Sequence, residues 1–180
     1  MQGAAPTSQD PRFIKHTGQF YRIVFAAYAD KVLDGVIHSE GRFHKNGQTA
    51  LYASPSHETA SVAIDIYVKP GDADRVIVPL LLENARLADL RDRALCAALG
   101  IDPSWPSVPW ADQRAAGQMA TSWLASDAVR QAGADGMIYS SRRAPSRWHV
   151  VLFSWNKATG AQLRQNGPAT TWVQPGATSV

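Results

Sequence analysis

The sequence predicts an α/β domain of the α+β kind, a compact mixed sheet with flanking helices. Three observations predict it. Strand-length runs of aromatic and β-branched residues recur at 19–26, 75–83 and 148–153. Between them lie segments with apolar residues at three- and four-residue spacing, the mark of a helix with one buried face. Pro and Gly punctuate the boundaries of both kinds of segment. The chain has 180 residues, 45% hydrophobic and 18% charged, which is enough apolar material for one domain with a real core.

Residues 1–12 are small, polar and Pro-containing and read as a tail, and so do 174–180, leaving a single domain over 13–173. Residues 19–26 (QFYRIVFA) form the first strand. Residues 28–48, broken by Gly35, Gly41 and Gly47, read as an irregular loop, a kind of segment that often carries function. Residues 50–54 (ALYAS) make a second strand, which Pro55 stops. Ser56 then caps a helix with Glu58 in its first turn, and Ala60, Ala63, Ile64 and Tyr67 give that helix a buried face before Pro70-Gly71 ends it. Residues 75–83 (RVIVPLLLE) read as a central strand. Residues 87–90 add a short one, and a helix over 92–99 closes at Gly100. The segment DPSWPSVPW, residues 102–110, is a loop that packs its indoles. A helical region follows over 112–131 with a break near Gly117, then strands at 136–140 and 148–153 and a polar end.

Several functions are excluded or disfavoured. The longest apolar run, 76–82, is too short to cross a bilayer, so no membrane contact is expected. The first residues lack the basic and apolar regions of a secretory signal. The lone Cys96 leaves no disulfide framework, which fits a reducing cytoplasm. The histidines at 16, 38, 44, 57 and 149 show no ligand spacing, so no metal is expected. GxSxG, the P-loop and GxGxxG are absent. A net charge of +3 favours an acidic partner or a phosphate-bearing ligand. The densest basic cluster, Arg142, Arg143 and Arg147 beside Trp148, is too short for a nucleic-acid stripe.

What remains is a set of polar residues at strand ends and in the first loop. Arg22 interrupts an apolar strand, and Arg42 and His44 lie in Gly41-Arg-Phe-His. Tyr52 and Ser54 share one face of the second strand by two-residue alternation. Glu58 sits where a helix dipole favours a carboxylate, and Ser140 and Ser141 end a later strand. Each has an ordinary reading too: Arg22 as an edge residue, Tyr52 as core, Glu58 as a solvated cap, Ser141 as a turn residue.

In chain order, Tyr21-Arg22, the Gly41–His44 segment, ALYASP at 50–55 with Glu58-Thr59-Ala60, DGMIYSSR at 135–142 and VVLF at 150–153 resemble the RES family, over about residues 19–155. That family is named for an arginine, a glutamate and a serine. The resemblance implies a toxin of a bacterial toxin–antitoxin pair, with a fold similar to diphtheria-toxin-like ADP-ribosyltransferases. It implies NAD as substrate without a prosthetic group, and a cognate antitoxin of helix-turn-helix type, acidic, whose C-terminal part plugs the active site. By the same resemblance Arg22, Glu58 and Ser141 are the catalytic set, and Arg42, His44, Tyr52 and Ser54 bind the nucleotide. One departure stands out: the position of the glutamate in many members falls on Ala63, so Glu58 is preferred in its place, with Asp65 as the alternative. The implied reaction breaks the nicotinamide–ribose bond and passes ADP-ribose to a protein. Hydrolysis or phosphorolysis of NAD is the runner-up, and a non-catalytic nucleotide-binding module is the rival from another class. A nuclease is disfavoured because no carboxylate cluster for magnesium is visible.

Overall fold

The structure is a computed structural model and describes residues 12–175. The expected tails lie outside the described residues except for Arg12, Gln174 and Pro175, and Gln174 donates to Asp65 Oδ1 at 2.9 Å.

In chain order the elements are β1 (Ile14–Phe25), β2 (Leu51–Ala53), α1 (His57–Ile64), β3 (Arg75–Asp89), α2 (Arg93–Ala98), α3 (Trp110–Ala115), α4 (Thr121–Gln131), β4 (Gly136–Ser140), β5 (Trp148–Leu152), β6 (Gln162–Gln165) and β7 (Thr170–Trp172). All seven strands belong to one mixed sheet, whose main path runs β1-β3-β4-β5-β2. β1 and β3 are antiparallel partners from Ile14↔Leu87 to Phe25↔Arg75, and only β3 with β4 is parallel. A bridge between Tyr21 and Ser54, with N–H···O distances of 2.7 and 2.9 Å, joins the two ends of the path. The five strands therefore come full circle.

Closing the circle gives the sheet an inside and an outside, and alternation along each strand sorts side chains between them. Inside lie Phe20, Leu51, Val78, Leu80, Leu82, Ile138, Val150 and Leu152. Outside, Leu95 and Cys96 of α2 and Ala125 and Val129 of α4 pack on Phe43, Met137, Tyr139 and Val151. A smaller outer core places Ala60 of α1 on Ile23 and Ile77. Each face is apolar enough to hold its cover by burial, at roughly 25 cal/mol per Å² of apolar surface.

The sheet differs from the sequence expectation in three places. Residues 87–90 do not form a separate strand, because β3 runs on through a bulge where Glu83 and Asn84 together face Thr17. Asn84 takes a φ of 56° there, and its N–H donates to Thr17 Oγ1. The polar end after residue 153 carries β6 and β7, which pair with β3 on either side of Val78 and Pro79. Their sequences, QLRQ and TTW, bury little beyond Leu163, so alternation gives no signal. The helix after Ser56 stops at Ile64, and Ala63 and Tyr67 are exposed rather than buried. The remaining expectations stand closer. Gly117 does divide the 112–131 region, and Gln113 of α3 caps α4 by accepting from Thr121 N at 2.8 Å.

Candidate active site

Arg42 is presented by a short segment that α4 holds from behind. Trp123 Nε1 donates to the Gly41 carbonyl at 2.8 Å, Ser122 Oγ to the Arg42 carbonyl, and Arg130 Nη2 to the Phe43 carbonyl. Three successive carbonyls are thus tied to one helix. Gly41 is required in this turn because a Cβ there would overlap the His44 ring.

His44 is buried and bonded at both nitrogens: Nε2 donates to the His38 carbonyl at 3.1 Å, and Nδ1 accepts from the Tyr52 hydroxyl at 3.0 Å. That hydroxyl in turn accepts from Phe43 N at 2.9 Å. Burial lowers the pKa of His44 and raises that of Tyr52, so both are neutral. Their polar atoms are satisfied within the protein, and what they contribute is the placement of Arg42.

The Arg42 guanidinium lies over the rings of Phe43 and Tyr139, 4.9 and 5.0 Å from their centroids. Its Nε donates to the Pro106 carbonyl at 2.9 Å, as does Nη2. Nη1 has no partner among the described residues and is not enclosed by them. Burial lowers the Arg42 pKa most, and the nearby cation Arg142 lowers it further. Among the described residues neither arginine has a carboxylate partner. A partly buried cation without an anion of its own is a place for one to bind.

Below Arg42, Tyr139 and His149 are cross-strand partners on the outer face of β4 and β5. Ser54 Oγ is 2.9 Å from His149 Nδ1. A neighbouring rim is built by α1 and the 141–147 turn. Ser141, buried, closes that turn with its N–H on the Arg147 carbonyl and its Oγ accepting from Ala144 N. Arg147 donates to Thr59 of α1 at 3.1 Å, and Arg143 pairs with Asp65 at 3.3 Å. Glu58 is exposed in the first turn of α1, its pKa lowered by its own backbone amide and by the Ser56 hydroxyl.

The structure links Arg42, His44, Tyr52 and Ser54 through a chain of contacts that runs by way of Phe43, Tyr139 and His149, while Glu58 and Ser141 belong to α1 and to the turn after β4. Arg22 lies outside these contacts. Tyr21, one residue earlier, pairs with Ser54 on the outer face, so Arg22 faces the inside with Phe20. Its fork holds the Val32 carbonyl and, at 2.8 Å, the Gly35 carbonyl. Sequence reasoning missed Tyr139 and His149, which only long-range strand pairing makes neighbours of Ser54, and Tyr67, whose phenol lies close enough to influence Arg42. Arg142 was visible only as one member of the basic cluster. An open depression of about 530 Å³ lies elsewhere, lined by Arg86, Arg130, Asp135, Phe153 and Lys157, and includes none of the expected site residues.

Among the described residues, no three His, Cys, Asp or Glu side chains gather as metal ligands, and no helix is long and apolar enough to cross a membrane. What the residues define is a small α/β domain with a carboxylate-free arginine over a ring floor on its outer face. A model of the RES domain matches residues 19–173, and the chain belongs to that family. Among solved structures it is similar to a chain of the M. tuberculosis MbcT–MbcA toxin–antitoxin complex, with a TM-score of 0.58 at 14% identity, covering 90% of this chain and 87% of that one. No curated protein matches it in sequence.

Proposed function

We propose that this RES-domain protein is the toxin of a toxin–antitoxin pair, and that it breaks the nicotinamide–ribose bond of NAD and passes ADP-ribose to a cellular protein. The observation that carries the reading is Arg42: half-buried over Tyr139, with an open Nη1, a second guanidinium nearby and, among the described residues, no carboxylate on either. A pyrophosphate bridging Arg42 and Arg142 supplies the missing anion, and a guanidinium fork suits its oxygens better than an ammonium.

In the proposed reaction the glycosidic bond breaks with its electron pair going to the ring nitrogen, so nicotinamide leaves neutral and the ribose C1 gains oxocarbenium character. Glu58, kept ionised by the start of α1, is the carboxylate that offsets this charge. A nucleophile of the acceptor protein then attacks C1 and gives up its proton. Ser141 closes the turn whose Arg147 bonds to Thr59 of α1, and Tyr52 and His44 hold the Arg42 segment. An acidic antitoxin fits the same unneutralised cations.

NAD labelled in its adenine moiety, incubated with the protein and cell lysate, tests the reading. Label on a protein band supports transfer, whereas free ADP-ribose alone replaces transfer with hydrolysis. Glu58→Ala should lower nicotinamide release by about a hundredfold, as loss of a key electrostatic group does. A fully active Glu58→Ala removes Glu58 from the role and passes it to Asp65.

A further inference from the structure

Ser54 and His149 form a buried polar pair on the outer face of the sheet, exposed by only 3% and 4%. Polar groups at that depth are destabilising unless they find partners. Ser54 Oγ and His149 Nδ1 satisfy each other at 2.9 Å. The second ring nitrogen, Nε2, bonds to none of the described residues, yet it is not among their fully enclosed unpartnered atoms, which are Arg75 Nε and Arg130 Nε. A buried imidazole with one nitrogen fixed from within and the other left open is arranged to meet something from outside.

The surroundings define what that something is. The His149 ring lies against Tyr139 of β4, with centroids 5.5 Å apart and planes tilted by 36°. Ser54 at the end of β2 is on its other side, and Arg42 lies across Tyr139. Burial first, and the Arg42 charge second, lower the His149 pKa to about 4. The ring is therefore neutral at physiological pH. It offers one hydrogen bond and no charge, beside a cation that attracts phosphate. A charged imidazole here would oppose both the pyridinium of NAD and the positive charge that grows on the ribose; a neutral one does not.

We propose that His149 is a substrate-binding residue of the NAD site, its open Nε2 hydrogen-bonding an uncharged hydroxyl or amide of the nucleotide while Ser54 fixes the ring's direction. The inference rests on the NAD reading above.

The test compares wild type, His149→Ala and His149→Asn by kcat/KM for nicotinamide release with cell lysate as acceptor, above a lysate-only blank, with unfolding midpoints measured on all three. His149→Ala should lose about tenfold, the worth of one neutral hydrogen bond in a desolvated site, and His149→Asn, neutral and still able to bond, should recover most of it. Repeating the series with nicotinic acid adenine dinucleotide identifies the bonded group. A penalty that vanishes points to the carboxamide, and one that persists points to a ribose hydroxyl; either supports contact. Equal losses in Ala and Asn that follow their loss of stability overturn the inference, as does a His149→Ala protein with wild-type kcat/KM. A folded wild type that releases no nicotinamide overturns the NAD reading itself, a result separable from these.

Discussion

Arg22 and His149 illustrate what burial does to a polar side chain on either side of one sheet. Arg22 supplies donors to two carbonyls of the loop after β1, and Gly35 in that loop is held at a φ of 93°, where a Cβ would sit 2.8 Å from the Ala50 carbonyl oxygen. Burial lowers the Arg22 pKa to about 10, so it stays charged. Arg22→Ala leaves both carbonyls without their donor and should lower stability by about 2–4 kcal/mol in urea unfolding. An unchanged midpoint would make Arg22 a ligand-binding residue rather than a clamp. His149 works in the opposite sense. Its folded pKa is about 4 against an ordinary 6.5, and the pKa values of His44 and His16 are lowered as well. Below about pH 6.5 the unfolded chain takes up protons that the folded one refuses, so stability falls as pH drops from about 6.5 to 4. His149→Asn should flatten part of that slope. Identical slopes in wild type and variant would remove His149 from the account of the acid limb.

At the scale of elements, the site is a loop presented by a helix onto a strand pair. α4 ties down the carbonyls of Gly41, Arg42 and Phe43, and β2, β4 and β5 supply Ser54, Tyr139 and His149. Gly41→Ala should push the His44 ring out of its bonds to His38 and Tyr52, loosening Arg42. NAD turnover should fall by tenfold or more, and amide exchange at Phe43, whose N–H rests on Tyr52, should rise. Protection at Phe43 equal to wild type would contradict this. These elements also mark what the sequence could tell. β2, α1, β4 and β5 were legible because strong apolar patterns and clear punctuation coincide there, and the shared face of Tyr52 and Ser54 followed from alternation alone. β6 and β7 were hidden because a polar edge strand paired on one side has almost nothing to bury. The side of the sheet that Arg22 faces, and the Tyr139–His149 pairing, depend on how distant strands meet, which local spacing does not encode. Tyr67 was read as core because helical spacing continued past the point where α1 ends.

For the molecule as a whole, closing five strands into a circle leaves one core inside and two outside, so the outer face can carry polar chemistry without opening the inner core. That separation lets this domain hold a half-buried arginine over aromatic rings while a second core packs on the other side of the sheet. The net charge of +3, and Arg42 and Arg142 without a carboxylate partner among the described residues, suit the anionic substrate and acidic inhibitor proposed above. The most direct measurement of the central claim is nicotinamide release from NAD by purified protein supplied with cell lysate as acceptor, above a lysate-only blank, wild type beside Arg42→Lys, with folding checked for both. Release well beyond one nicotinamide per protein by wild type, and at least tenfold slower release by a folded Arg42→Lys, is the expected result. Equal release by the two proteins would contradict it, as would a folded wild type that leaves NAD intact.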